Sequence, residues 1–153
     1  MAKAKFKGSK INEPFVAIFR SVFDAPGFCS LSSFAAKLLL ELVSQYRGDN
    51  NGNLTVAWSI LENRGWKSRT TLWRVKRELM NAGFIYVTRK GHFPSTCELL
   101  ALTWFPLDVS PKFDPEALHC FESKAYQRGA LKPMRPAGAK RNLMHAPVGG
   151  VPH

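Results

Sequence analysis

Apolar residues recur at helical spacing along residues 33–46. Ala35, Leu38, Leu39, Leu42, Val43 and Tyr46 fall on one face, which predicts an amphipathic α-helix with Ser32 as its N-cap. The polar run 47–53, rich in Gly, Asn and Asp, ends it. Leu54 is then placed for one short strand pairing. Thr55 is expected to cap a brief helix over 56–63, with Val56, Ile60 and Leu61 facing inward and Gly65 stopping it in the left-handed conformation. Ser68 is the next cap, opening a helix that runs to Asn81 and closes at Gly83. Two helices separated by a short turn containing glycine are a helix-turn-helix arrangement.

Periodicity then shifts from helical to extended. Residues 84–88 (Phe-Ile-Tyr-Val-Thr) and the region 99–104 are aromatic and β-branched, as strands are, and residues 89–95 between them form a basic hairpin tip. The order helix, short strand, helix, helix, hairpin predicts an α+β, mainly α chain: a winged helix-turn-helix, with a three-helix core and a β-hairpin wing. Ahead of it, residues 14–28 are dense in Phe, Val and Ile and broken by Pro26-Gly27. They are expected to form an extended start and a short helix over the core, or alternatively a homodimer contact. Asp114-Pro115 marks the cap and first turn of a further short helix to about Tyr126. From Gly129 on, Pro and Gly are frequent and apolar periodicity is lost. The expected organisation is a basic flexible arm (1–11), a winged-helix domain (12–108), a short helical extension (109–127) and a basic, Pro/Gly-rich disordered tail (128–153).

Charge sharpens this picture. The chain of 153 residues carries a net charge of +11, which points to an anionic partner, nucleic acid before membrane. Residues 1–10 hold four lysines and residues 124–153 six bases, with no acid in either. Inside the body, residues 62–90 hold eight bases against Glu62 and Glu78, whereas the flanking stretches are mildly acidic. Charge runs are most often solvated faces, so the patch matters only if the fold gathers it.

On a helical wheel of 68–81, at about 100° per residue, Leu72, Val75, Leu79 and Ala82 share the inner side. Thr70, Trp73, Arg74, Arg77 and Asn81 share the outer one, with Arg69 and Lys76 on the flanks. A helix with an apolar back and an Arg/Thr/Asn front suits the major groove of duplex DNA, where Arg pairs with guanine and Asn with adenine. Lys67, Arg69 and Lys76 are placed for phosphates, which position without reading sequence. Trp73 is costly on an outer face unless covered; it can pack on Met80 or Trp66, or contact DNA. Trp58 and Trp66 are expected in the core. In the wing, Arg89 and Lys90 can reach a minor groove or its phosphates, with His92 a bystander.

Other chemistry is sparse. Cys29, Cys97 and Cys120 are odd in number and widely spaced, as expected of reduced thiols in a cytoplasmic, nucleoid-associated protein. His92, His119, His145 and His153 have no metal-ligand spacing, and no apolar run is long enough for a membrane span. No glycine-rich phosphate loop, paired carboxylates or nucleophile–base pattern is present, so no enzyme activity and no cofactor are expected.

A resemblance rests on Leu31-Ser32, residues 36–42 (Ala-Lys-Leu-Leu-Leu-Glu-Leu), 50–54 (Asn-Asn-Gly-Asn-Leu), Ser68 with 71–79 (Thr-Leu-Trp-Arg-Val-Lys-Arg-Glu-Leu), 82–85 (Ala-Gly-Phe-Ile) and 88–91 (Thr-Arg-Lys-Gly). Over about residues 14–108 the chain resembles bacterial and prophage winged-helix proteins. It is similar to multiple-antibiotic-resistance-type regulators and to the N-terminal domains of phage and plasmid replication initiators. The resemblance implies DNA contacts at Thr71, Arg74 and Arg77, and Ser68 at the start of the same helix is a further candidate contact; Trp73 stands where such proteins commonly carry a small residue. The expected function is sequence-specific double-stranded DNA binding by a transcriptional regulator of a mobile element. The alternatives are a replication initiator or loader, whose C-terminal tail recruits a replication or transcription protein, and an RNA or ribonucleoprotein component acting through its tails.

Overall fold

The computed structural model describes residues 13–128. The arm expected at 1–11 lies outside the described residues, as does the expected tail beyond Arg128. The described residues form a mixed, mainly helical α+β structure with six α-helices and one two-stranded antiparallel sheet. Two single-turn helices come first, α1 (Arg20–Phe23) and α2 (Pro26–Cys29). Pro26 opens α2, where its missing N–H costs nothing. Val22, Ala25 and Gly27 turn inward, and Phe28 meets Phe84 edge-on at 6.3 Å.

The helix α3 (Ser33–Gln45) forms as the apolar spacing requires. The Ser32 hydroxyl accepts from the Ala35 N–H at 3.2 Å, and Ala35, Leu38, Leu39, Leu42 and Val43 are buried. Leu54 exchanges two backbone hydrogen bonds with Leu100, at 3.0 and 2.8 Å, which is the short strand pairing expected there.

The next helix departs from expectation. The helix α4 (Trp58–Leu61) starts two residues late and tightens into a 3₁₀ turn, Glu62–Arg64, before Gly65 at φ 86°. Thr55 does not cap it: its hydroxyl accepts from the Ala57 N–H at 3.2 Å, closing a local turn ahead of the helix. Leu61 lies in the core as expected. Ile60, about 100° away around the helix, is rotated to solvent rather than inward.

The helix α5 (Arg69–Asn81) is capped by the Ser68 hydroxyl, which accepts from the Thr71 N–H at 3.2 Å. At its other end Gly83 adopts φ 79°, its N–H reaches the Met80 carbonyl at 3.1 Å, and the Phe84 N–H reaches that of Leu79 at 3.0 Å. Those two bonds are the paired closure that a left-handed glycine permits. Glycine is needed here twice over, since a Cβ on Gly83 would stand 2.7 Å from the Ala125 carbonyl carbon.

Strands β1 (Ile85–Arg89) and β2 (Leu99–Leu102) pair antiparallel, Ile85 with Leu102 and Val87 with Leu100, with a register irregularity between Val87 and Arg89. The second strand, expected to reach Trp104, ends at Leu102, beyond which one further backbone bond, from the Thr103 N–H to the Phe84 carbonyl at 3.1 Å, joins the two arms. The Asn51 side chain takes both backbone groups of Leu102, and Thr103 turns its hydroxyl onto the Gly83 carbonyl at 2.6 Å.

The helix expected over 114–126 is broken. Only α6 (Ala117–Cys120) and a 3₁₀ turn, Ala125–Arg128, are present. Asp114 is drawn to the hairpin instead of capping. Its N–H donates to the Thr88 carbonyl at 2.8 Å, and its carboxylate accepts from the Lys90 N–H at 2.9 Å. The segment is no appendage. Tyr126 is fully buried, stacked on Phe84 at 5.6 Å, and its hydroxyl lies 3.0 Å from that of Ser21. One apolar core thus joins Val22, Leu38, Leu42, Leu61, Val75, Leu79, Phe84, Leu100 and Tyr126.

Candidate nucleic-acid interface

The helix α5 divides as its wheel requires: Leu72, Val75, Leu79 and Ala82 are buried, while Thr70, Trp73, Arg74, Arg77 and Asn81 are exposed. The inner flank facing α3 is anchored by Glu78, whose carboxylate accepts from both the N–H (2.6 Å) and the hydroxyl (2.8 Å) of Ser32. One acid within the basic window is therefore spent on holding the N-terminus of α3 against α5.

Three further acids near the patch are engaged as well, whereas Glu62, the other acid of the basic window, is exposed and has no basic partner among the described residues. Glu41, largely buried, pairs with Arg64; Glu98 accepts from Lys76 Nζ at 2.7 Å; Asp114 faces the Lys90 backbone. Of the eight bases in residues 62–90, Arg64 and Lys76 are paired in this way. Lys67, Arg69, Arg74, Arg77, Arg89 and Lys90 have no acidic partner among the described residues. Packing thus engages Glu78, Glu41 and Glu98 internally and leaves six of the eight cations without an acidic partner among the described residues.

The individual positions then separate by role. Lys76 was expected at a phosphate. Its side chain is mostly shielded, and it ties α5 to the start of β2. Arg69 lies over the Trp58 ring at 5.2 Å, which fixes its stem at the N-terminal end of α5. Ser68 is the helix cap, with Thr71 half-buried behind it, and Thr70 is exposed. Trp73 does not meet Trp66, which is buried beside Phe34. It stays 55% exposed, with the Arg77 guanidinium 4.8 Å over its ring. An open cavity of about 540 Å³, lined by Trp73, Arg77, Pro26 and Leu31, separates it from α2. Trp58 is half-buried and Trp66 buried, near the core as expected.

In the hairpin, the Arg89 guanidinium donates twice to the Cys97 carbonyl, at 3.0 and 2.8 Å, clipping the two strands together while keeping its charge. Lys90 is exposed beside it. The feature that sequence reasoning missed is Phe93, fully exposed at the tip of the hairpin. Its place in a Gly-His-Phe-Pro-Ser turn was the available signal, since an aromatic between turn formers has no strand face to occupy.

Among the described residues no group of His, Cys, Asp and Glu is arranged to hold a metal ion, and the three cysteines are free and exposed. No helix there is long and apolar enough to cross a membrane. Compared with protein-family models, curated proteins and solved structures, the chain matches none of them.

Proposed function

We propose that the chain is a sequence-specific double-stranded DNA-binding protein of the winged-helix type, a regulator of a mobile element. The outer face of α5 enters the major groove, and the β1–β2 hairpin, as wing, lies against the neighbouring backbone and minor groove. One observation carries this reading. Arg74, Arg77 and Asn81 share an exposed face with Thr70 and Trp73, while Glu78, Glu98, Glu41 and Asp114 are all tied up elsewhere. The outer face of α5 itself carries no acid to offset these cations.

The roles follow from side-chain geometry. Arg74 and Arg77 offer planar forks to base edges, and Arg77 is pre-oriented on the Trp73 ring. Lys67 and Arg69 sit at the N-terminal end of α5, where the helix dipole adds to their attraction for a phosphate. Arg89 and Lys90 extend the cationic surface along the hairpin. The pair Arg74→Ala and Arg77→Ala is expected to weaken duplex retardation in gels by on the order of a hundredfold or more, with an unchanged melting curve. A folded double variant that retards duplex as well as the parent contradicts the reading.

A further inference from the structure

The hairpin tip presents an aromatic ring to solvent and braces it there. Phe93 is 101% exposed, so its ring has no apolar neighbour. Turns of this kind are normally made of Gly, Asn, Asp and Ser, whose side chains or φ freedom suit them. Yet the turn around Phe93 is closed by three backbone bonds. The His92 N–H donates to Thr96 O at 3.0 Å, and the Ser95 and Thr96 N–H groups both donate to His92 O at 2.9 Å. Behind it the Arg89 fork grips Cys97, and Gly91 passes so close that a Cβ there would stand 3.0 Å from the Glu98 N–H nitrogen. A ring held on a fixed turn has already met much of the ordering cost of inserting it into a partner.

The charge around the tip selects that partner. Lys90 and Arg89 are cationic, while Glu98 and Asp114, two carboxylates in contact with the hairpin region, are engaged by Lys76 and by the Lys90 N–H. An apolar ring at the end of a cationic ribbon fits a polyanion whose apolar layers are reached edge-on, which describes stacked base pairs. Phenylalanine is among the side chains that wedge between base steps from the minor groove and kink the duplex. The Lys76–Glu98 pair ties the base of this hairpin to the flank of α5, so the tip and the outer face of α5 belong to one rigid surface patch only through that joint, and a wedge at the tip requires that both reach the same duplex. We propose that Phe93 is a wedge that unstacks one flexible pyrimidine–purine step of the bound duplex and bends it. The inference rests on duplex binding through α5.

The test uses the full chain and a duplex recovered by it from a random library. That duplex carries 2-aminopurine at each pyrimidine–purine step in turn and a dye pair at its ends. Binding by the parent chain is expected to brighten 2-aminopurine at one step and to shorten the end-to-end distance. Phe93→Ala is expected to abolish both changes and to weaken binding by about tenfold, the scale of one lost base–aromatic stack, while Phe93→Leu retains part of each. Equal brightening, bending and affinity for Phe93→Ala overturn the wedge but leave the α5 reading intact if the Arg74→Ala/Arg77→Ala variant still loses binding. Phe93-dependent capture on vesicles containing anionic lipid, with duplex binding unaffected, overturns the wedge in favour of a membrane contact. Failure of the parent chain to select any duplex overturns both readings at once.

Discussion

Asn51 has no exposed surface, yet every polar atom of it is engaged. Its side-chain N–H groups are shared among the carbonyls of Leu102, Phe105 and Pro106 at 2.9–3.1 Å, and its side-chain oxygen accepts from the Leu102 N–H at 2.7 Å. Its backbone N–H donates to the Asp108 carboxylate at 2.7 Å. One amide thus welds the loop after α3 to the end of β2. Asn51→Asp is expected to cost on the order of 3–5 kcal/mol in urea unfolding, because a carboxylate there faces three carbonyls with nothing to donate; a loss below about 1 kcal/mol contradicts this account. Tyr46 and Tyr86 supply a pH dependence. Burial raises both phenols above their ordinary value, with Asp108 and Asp49 adding to the effect at Tyr46, and Cys120, Glu116 and Asp114 at Tyr86. The folded state holds these protons longer than the unfolded one, so the contribution is intact below about pH 10 and is lost as pH rises through the raised values. Urea midpoints measured across that range should fall, and Tyr46→Phe with Tyr86→Phe should flatten the fall. The role of Asn51 was not legible beforehand. It lies in a run with Asn50 and Asn53, and only the position of β2 decides which amide goes inward.

At the scale of elements, α3 and α5 were readable because their signals are local. An apolar face and a serine cap lie within one or two turns of the bonds they make. The late start of α4 turns on a local choice, the Thr55 hydroxyl closing a turn with the Ala57 N–H, but the break in the 114–126 helix was not readable, because it is decided by a partner far along the chain. Asp114 is a good cap by type, but the hairpin edge at Thr88 and Lys90 claims it. The candidate interface shows the same division. The arginine face of α5 follows from its own periodicity, whereas the removal of Lys76 from it depends on Glu98, 22 residues later. Glu98→Gln tests this. It frees the Lys76 ammonium, so non-specific duplex affinity should rise a few-fold at low salt, and the salt slope should steepen by about 0.9 if Lys76 then reaches a phosphate. The stability cost should stay near or below about 1 kcal/mol, as for partly exposed ion pairs. An unchanged slope means that Lys76 stands too far from the duplex to reach it.

For the molecule as a whole, residues 109–128 belong to the same folding unit as the helices and hairpin. Tyr126 inserts between Phe84 and Trp104, and the Ala125 backbone covers Gly83 at the end of α5. Tyr126→Ala is therefore expected to destabilise the entire unit by about 3–5 kcal/mol in a single cooperative transition. A detachable extension would lose under about 1 kcal/mol and leave the main transition in place. By itself the sequence determined the order of the main elements, the inner faces of α3 and α5, the glycines that close α4 and α5, and the clustering of bases in residues 62–90. Each of these depends on groups within a turn or two of one another, or on composition alone. Only the tertiary structure decided where β2 stops, how Asp114 and Asn51 are used, and which of the bases lack an acid partner. Those outcomes depend on hydrogen bonds and ion pairs between residues remote in the chain, and such pairings exist only once the core has brought them together.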